Sequence, residues 1–427
     1  MSDDSLTGRL GAPDSGPRAA RAGVSRDVPV SAPPHERDVT RGGVPAVLLA
    51  LMAGPMSFGI AGPTLVLPHA ARELTLSVGA LTWLVTAFGW AIAVGTPLLA
   101  GLQNRRGARM ALLTATALVL LGAVLVMTAS ALPFLMAGSA LQGLGTAGLT
   151  TIAMSLTGSP RAMGLVTASL ATIGAAAPLI GDVVSDQLGW RAALALPVLS
   201  VACVPFVLRR RPVTPVSGRR FDLAGMVLLT AMVTALVFVP HSWQAAVGAA
   251  AVIGLLLALR LRARPDGFVP LAVVRAPAFL IAAGLAFLLA VVNFGLIYAL
   301  PPLLTANAGW SSGQVGLAIT WPLLFGGLVS YAVIAMTERS PFLVPAVLFV
   351  VLAGIATVTA ALSVAPLALL SAQALASLAA ASGQGVFANR ARAAVPGGQE
   401  PAAIGLYNLA YLLGAAFGPA MTTLMLG

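Results

Sequence analysis

Apolar residues fall along this chain in long unbroken blocks, not at the spacing of an amphipathic helix or a half-buried strand. A helix needs about 20 mostly apolar residues to cross the hydrocarbon core of a bilayer. Thirteen blocks read as such spans: 44–66, 79–101, 110–130, 132–155, 163–184, 191–208, 223–240, 244–260, 278–302, 313–336, 342–362, 366–388 and 402–425. Runs such as 111–127 do not alternate, as the strands of a membrane barrel would. Pro55, Pro63, Pro97 and Pro178 lie inside the blocks with Gly145 and Gly181. Such residues are poor in soluble helices and tolerated in bundled membrane ones. The pattern predicts an all-α polytopic membrane protein.

Composition strengthens that picture. Of 427 residues, 58% are hydrophobic and 9% charged, against about 25% charged in a soluble domain. The formal net charge of +11 raises the question of nucleic acid, and the placement of the charge answers it. Every basic residue is Arg, and six of them lie in the first 42 residues. Others follow the even-numbered spans: Arg105, Arg106 and Arg109, then Arg161, Arg209 to Arg211 with Arg219 and Arg220, Arg260 to Arg275, Arg339, and Arg390 with Arg392. The opposite loops hold only Arg72 and Arg191. Arg concentrated on alternate loops is the positive-inside asymmetry of a cell (inner or plasma) membrane protein with a cytoplasmic N-terminus. It implies a lipid bilayer and no nucleic acid as partner.

Residues 1–42 are polar, Pro/Gly/Ser-rich and of mixed charge, and read as a disordered cytoplasmic tail without a removable signal peptide. After them the chain divides into a six-helix bundle (43–212), an inserted helix pair with basic flanks (213–275) and a second bundle of five helices (276–427). Cys203 is the single cysteine, so there is no disulfide framework, and His35, His69 and His241 are too far apart in sequence to suggest a metal centre. Trp190, Trp243 and Trp310 fall at outer span ends, where indole rings favour the headgroup zone. No Ser-His-Asp set, carboxylate pair or ligand cluster converges in the spans. The sequence therefore implies no enzyme, no cofactor and no metal.

Several segments, in order, carry a family resemblance. LPHAAREL (67–74) followed by LTWLVTAF (81–88) is similar to the helix one to helix two junction of major facilitator transporters, in particular the fourteen-helix drug:proton antiporter branch. GLQNRRGAR (101–109) resembles the superfamily's signature loop between helices two and three. ALQGLGTAG (140–148) resembles the helix-four signature, and IGAAAPLIGD (173–182) the antiporter signature of helix five. RRFDLAGMVLL (219–229) resembles the start of the helix pair that separates fourteen-helix from twelve-helix members, and GAAFGP (414–419) repeats the helix-five pattern. The likeness runs from about residue 44 to the end.

The resemblance implies two related helical halves rocking about a central path. It makes Asn104, Arg105, Arg109, Pro178, Gly181, Glu338 and Arg339 candidates for the conformational gate. Departures matter equally. Asn104 replaces the loop signature's acid, Gly59 stands where the branch often has an intramembrane Asp, and Ser139 stands in place of the helix-four Arg. Charge inside a membrane is costly and usually functional, and Asp182 is the one acid within a proposed span. It and His69 are the candidates for coupling to protons, set against a plainly interfacial role for both. What remains to line a path is neutral and polar: Ser139, Gln142, Thr146, Asn293, Tyr298, Gln373, Ser377, Gln384, Trp90 and Tyr407, with interhelical hydrogen bonding as the alternative use. The expectation is a monomeric secondary transporter exporting a mostly neutral, amphipathic small molecule, with proton antiport implied by the resemblance. An uncoupled facilitator and a non-transporting membrane partner are the alternatives.

Overall fold

The computed structural model describes residues 44–210, 222–237 and 243–426. The proposed tail, Arg211, Arg219, Arg220 and His241 lie outside the described residues. Among the described residues every regular element is helical. Among the described residues all thirteen apolar blocks are helical, but not as thirteen straight rods. The first block breaks into α1 (Ala46–Ala53), α2 (Met56–Ala61) and α3 (Pro63–Leu74), at Pro55 and at Gly62 before Pro63. The second and third are the two helical arms of α4 (Val78–Thr128), which join at Gly107, whose φ of 81° and ψ of 166° are not helical. Those angles are open only to glycine. The fourth and fifth are α5 (Leu132–Ser155) and α6 (Pro160–Leu188). The sixth is split into α7 (Trp190–Leu194), a 3₁₀ stretch (Leu196–Cys203) and α8 (Val204–Arg209), with Pro197 and Pro205 at the starts of the second and third pieces.

The inserted pair is α9 (Leu223–Val237) and α10 (Trp243–Ala263). A short α11 (Leu271–Arg275) leads into α12 (Pro277–Ala308), α13 (Ser312–Thr337), α14 (Leu343–Leu362), α15 (Pro366–Ala393) and α16 (Glu400–Leu426). Eight helices among the described residues are individually long and apolar enough to cross a membrane, nine if the bent α1–α3 run is one span. The difference from thirteen has plain causes: the two arms of α4 count as one length, proline divides the first and sixth blocks, the described helix of the seventh has 15 residues, and α5 carries Gln142, Thr146, Thr150 and Thr151. Leu317, Leu328, Met336, Leu343 and Leu362 remain exposed on the outside, as lipid-facing positions do.

Small residues set the helix spacings. A Cβ on Gly145 would lie 2.5 Å from the Ala115 carbonyl oxygen, which brings α5 onto the second arm of α4. A Cβ on Gly181 would lie 3.0 Å from the Gly62 carbonyl oxygen, where α6 meets the bent first span. The repeated motif works the same way, because Gly414 and Gly418 of α16 press against Phe287 and Gly295 of α12. The helices before residue 210 and those from 277 onward meet along α6 with α13 and α15, and along α4 and α5 with α16.

Candidate functional site

Where the two helix sets meet, α5 and α16 turn polar side chains toward each other. Met56, Thr96, Ala147, Thr150, Thr151 and Leu170 from the first set, and Gln384, Asn408 and Leu412 from the second, enclose a cavity of about 20 Å³. That volume suits one water molecule, not an organic solute. Thr150 Oγ1 donates to the Ala53 carbonyl at 3.3 Å, and Asn408 Nδ2 approaches Met154 Sδ at 3.1 Å. Thr151 Oγ1 and Asn408 Oδ1 are buried without a hydrogen-bond partner, a costly condition unless something else can bond them. One lies on each set. None of the residues enclosing the cavity is charged.

A second polar group lies within the later helices. Asn293 Oδ1 accepts from Gln373 Nε2 at 3.0 Å and from Ser377 Oγ at 2.9 Å, all three side chains being buried. Gln373 Oε1 has no partner. The structure thus brings together Asn293, Gln373 and Ser377, and places Gln384 at the cavity.

The other candidate path residues do not line the cavity. Ser139 Oγ donates to the Leu84 carbonyl at 3.0 Å, joining α5 to α4. Gln142 is buried against Gly122 of α4, and Thr146 Oγ1 returns to the Gln142 carbonyl at 2.8 Å. Trp90 Nε1 donates to Thr234 Oγ1 at 2.9 Å, pinning the inserted pair. The Tyr407 hydroxyl donates to the Gln384 carbonyl at 3.0 Å, and Tyr298 is exposed. Thr96 and Thr151 are polar cavity residues that the sequence reading passed over. Threonines on helices enclosed by others give no sign in the sequence of which of them face a gap.

At the arginine-rich end the two sets are clamped. Arg161 Nε meets Glu338 Oε2 at 2.9 Å, and Arg392 donates to the Thr157 carbonyl and, at 3.3 Å, to its hydroxyl. Beside them, Gly164 and Gly385 both lie against Ile334. Arg109 and Arg339 are exposed, whereas Arg105 senses the charge of Asp222.

The opposite end holds a group that the linear sequence hides. His69, Asp182 and Asp186 bring their ligand-type atoms within 4.8 Å of one another, and His69 Nδ1 lies 3.4 Å from Ser185 Oγ. Asp182 and Asp186 are one helical turn apart, but His69 is more than a hundred positions from either, so a reading that looks for histidines near one another misses the convergence. Pro178 is half-buried in α6, one turn from Gly181. Trp190 corrects another expectation: it is 4% exposed and donates to Glu73 Oε2 at 2.7 Å instead of facing headgroups.

Residues 47–224 match the Major Facilitator Superfamily. That segment, under half of the chain, is similar to members of that superfamily. It is 29% identical over 183 residues to the multidrug resistance protein Stp of Mycobacterium tuberculosis, which covers 40% of this chain and 34% of Stp. It is 32% identical over 218 residues to the cephamycin export protein CmcT of Amycolatopsis lactamdurans, covering 46% of this chain and 44% of CmcT. The chain thus spans about a third to under half of these curated relatives. The human organic anion transporter MFSD10 (TETRAN) shares the major facilitator fold, with a TM-score of 0.64 at 17% identity over 91% of this chain and 93% of that one.

Proposed function

We propose that this chain is a secondary transporter that exports a neutral, amphipathic organic molecule across the cell membrane. The observation that carries the reading is two unpartnered polar groups, the Thr151 hydroxyl and the Asn408 amide oxygen, that belong to opposite helix sets and line one uncharged cavity. A solute offering hydroxyl or amide donors would satisfy both, whereas a strongly cationic one would find no carboxylate there. The names of Stp and CmcT, one a resistance protein and one an antibiotic exporter, support export of such compounds.

In this reading 43–212 and 276–427 are the two moving halves, and alternating access opens the seam at one end at a time. The arginine-rich end faces the cytoplasm and carries the clamp, so the described state is closed on that side. Its cavity is too small for substrate, and the halves must part to admit one. Proton antiport, where it operates, runs through His69 and Asp182 at the far end. Transport measured in proteoliposomes with and without an imposed pH gradient tests this. Accumulation against a concentration gradient that collapses with the pH gradient is expected. An unchanged rate excludes obligatory proton coupling, and no movement of neutral amphipathic compounds overturns the substrate class.

A further inference from the structure

Asp182 and Asp186 lie one turn apart on α6, so their carboxylates leave the same side of the helix. Like charges at that spacing repel each other. Among the described residues no arginine pairs with either carboxylate to relieve that repulsion. The arginines of this end are used on carbonyls, Arg72 on Pro68 and Arg191 on Val126 and Ala129. Glu73, the acid of α3, accepts from Trp190. What α3 brings to the two aspartates is His69. Its Nδ1 lies 3.9 Å from Asp186 Oδ1 and 3.4 Å from Ser185 Oγ. One ligand-type atom from each of His69, Asp182 and Asp186 lies within 4.8 Å of the other two. The group is open to solution: the side chains of His69 and Asp186 are 35% and 60% exposed. Ser185, by contrast, is buried.

The donor set selects the ion. An imidazole beside two carboxylates suits Zn²⁺ and its transition-metal neighbours, whereas Mg²⁺ and Ca²⁺ take oxygen ligands and leave a histidine idle. Zinc binds imidazole nitrogen and carboxylate oxygen at about 2.0–2.2 Å, which puts the ligand atoms of a tetrahedral site about 3.5 Å apart. Closing to that distance from 4.8 Å takes roughly 1 Å of side-chain movement, and none of the three residues is buried. We infer that His69, Asp182 and Asp186 are three ligands of a site for a divalent transition-metal ion, completed by water, that ties α3 to α6. Ser185, at the ring's Nδ1, is the neighbour that fixes the orientation of the imidazole. The site does not rest on the transport reading. Within that reading, a bound ion displaces the proton routed through His69.

The test titrates Co²⁺ into the purified full chain, prepared without a histidine tag, and follows the visible absorption of the bound ion. One equivalent is expected to bind, to be displaced by Zn²⁺ and to be unaffected by Mg²⁺ at the same concentration. His69→Gln and Asp182→Asn are each expected to weaken binding by about a hundredfold or more, since losing even an outer partner of a ligand costs about 10–100-fold. Asp186→Asn is expected to weaken it by at least about tenfold. That side chain is the most exposed of the three, so this variant carries the test if the other two do not accumulate. Absence of saturable binding overturns the proposal, and displacement by Mg²⁺ overturns the choice of ion. Equal affinity in the wild type and the ligand variants places the metal elsewhere, for instance at His35 or His241, and overturns the site. The tie between the helices is read separately. Co²⁺ is expected to raise the thermal midpoint of the wild type by several degrees, because the ion binds the folded site, and that of Asp186→Asn by much less. Shifts of the same size in both overturn the tie.

Discussion

Gly59 lies under the ring of Phe88, and a Cβ built there would stand 2.0 Å from Phe88 Cζ. In the family resemblance this position often carries an intramembrane acid; here the space of that side chain is filled by an aromatic ring that is 2% exposed. The loss of the charge and the gain of packing are one event. Even the smallest side chain would force the ring aside, at a cost of about 1–3 kcal/mol for overpacking. Gly59→Ala is therefore expected to lower the thermal midpoint by several degrees, and to do so far less when Phe88→Leu is also present. Equal costs in both backgrounds would mean that the ring is free to move. The residue scale is also where the sequence was least legible. Ser139, Thr146 and Thr150 share a face of α5 as their spacing indicates, with Gln142 beside it, yet Ser139 bonds α4, Thr146 returns to its own helix, and of the three Thr150 alone lines the cavity. In a soluble protein a polar stripe faces water. In a bundle surrounded by lipid it faces whichever neighbour offers a partner, and spacing alone cannot say which.

Helices were legible as elements because lipid demands a continuous apolar run from each of them. Their joints were legible only in part. The joint between the second and third blocks was legible between 101 and 110, where Gly107 interrupts α4, but the first and sixth blocks read as unbroken spans across the prolines that divide them. The inserted pair is the element whose attachment invites measurement. Trp90 binds it in the middle of α4, and Trp90→Phe keeps the packing while removing the bond to Thr234, for an expected loss of about 1 kcal/mol of stability. Asp222 binds it at the arginine-rich end. Burial pushes that carboxyl up, but the Arg260 hydrogen bonds, the Gly225 and Phe268 N–H groups and the Arg260 charge outweigh it and hold it below the ordinary carboxylate value. A group whose folded pKa is depressed contributes stability that is full above its unfolded value, about 3.9. That contribution fades as pH falls through the folded one. The attachment of the pair is thus expected to be indifferent to pH from neutrality down to about 5 and to weaken below about 4. Hydrogen exchange of the 264–268 amides, followed against pH, reads this directly. In Asp222→Asn that acid-induced rise in exchange is expected to vanish, and its persistence would assign the weakening to another group.

For the molecule as a whole, the question is what holds the arginine-rich end shut. Two ties cross the seam there, and they are unequal. Arg161 is 63% exposed while bridging to Glu338, and an exposed ion pair contributes roughly 0–1 kcal/mol. Arg392 is more enclosed and donates to a backbone carbonyl and a hydroxyl of the opposite set at once, so its removal strands the Thr157 carbonyl as well as breaking the tie. Removing either tie raises the population of the open state by the free energy it contributed to the closed one. Arg392→Ala is therefore expected to open the end more than Arg161→Ala does. Thr151 makes a suitable reporter, since it is fully buried in the cavity between the sets, and Cys203 is the single native cysteine. In a Cys203→Ser background carrying Thr151→Cys, a membrane-impermeant maleimide applied from the arginine-rich side is expected to react slowly. Adding Arg161→Ala should raise the labelling rate by up to about fivefold and Arg392→Ala by about tenfold or more, following the energies of an exposed ion pair and of a charged hydrogen bond. Equal, slow labelling in all three would mean that the apolar contact of Ile334 with Gly164 and Gly385, and not the arginines, keeps the halves together at this end.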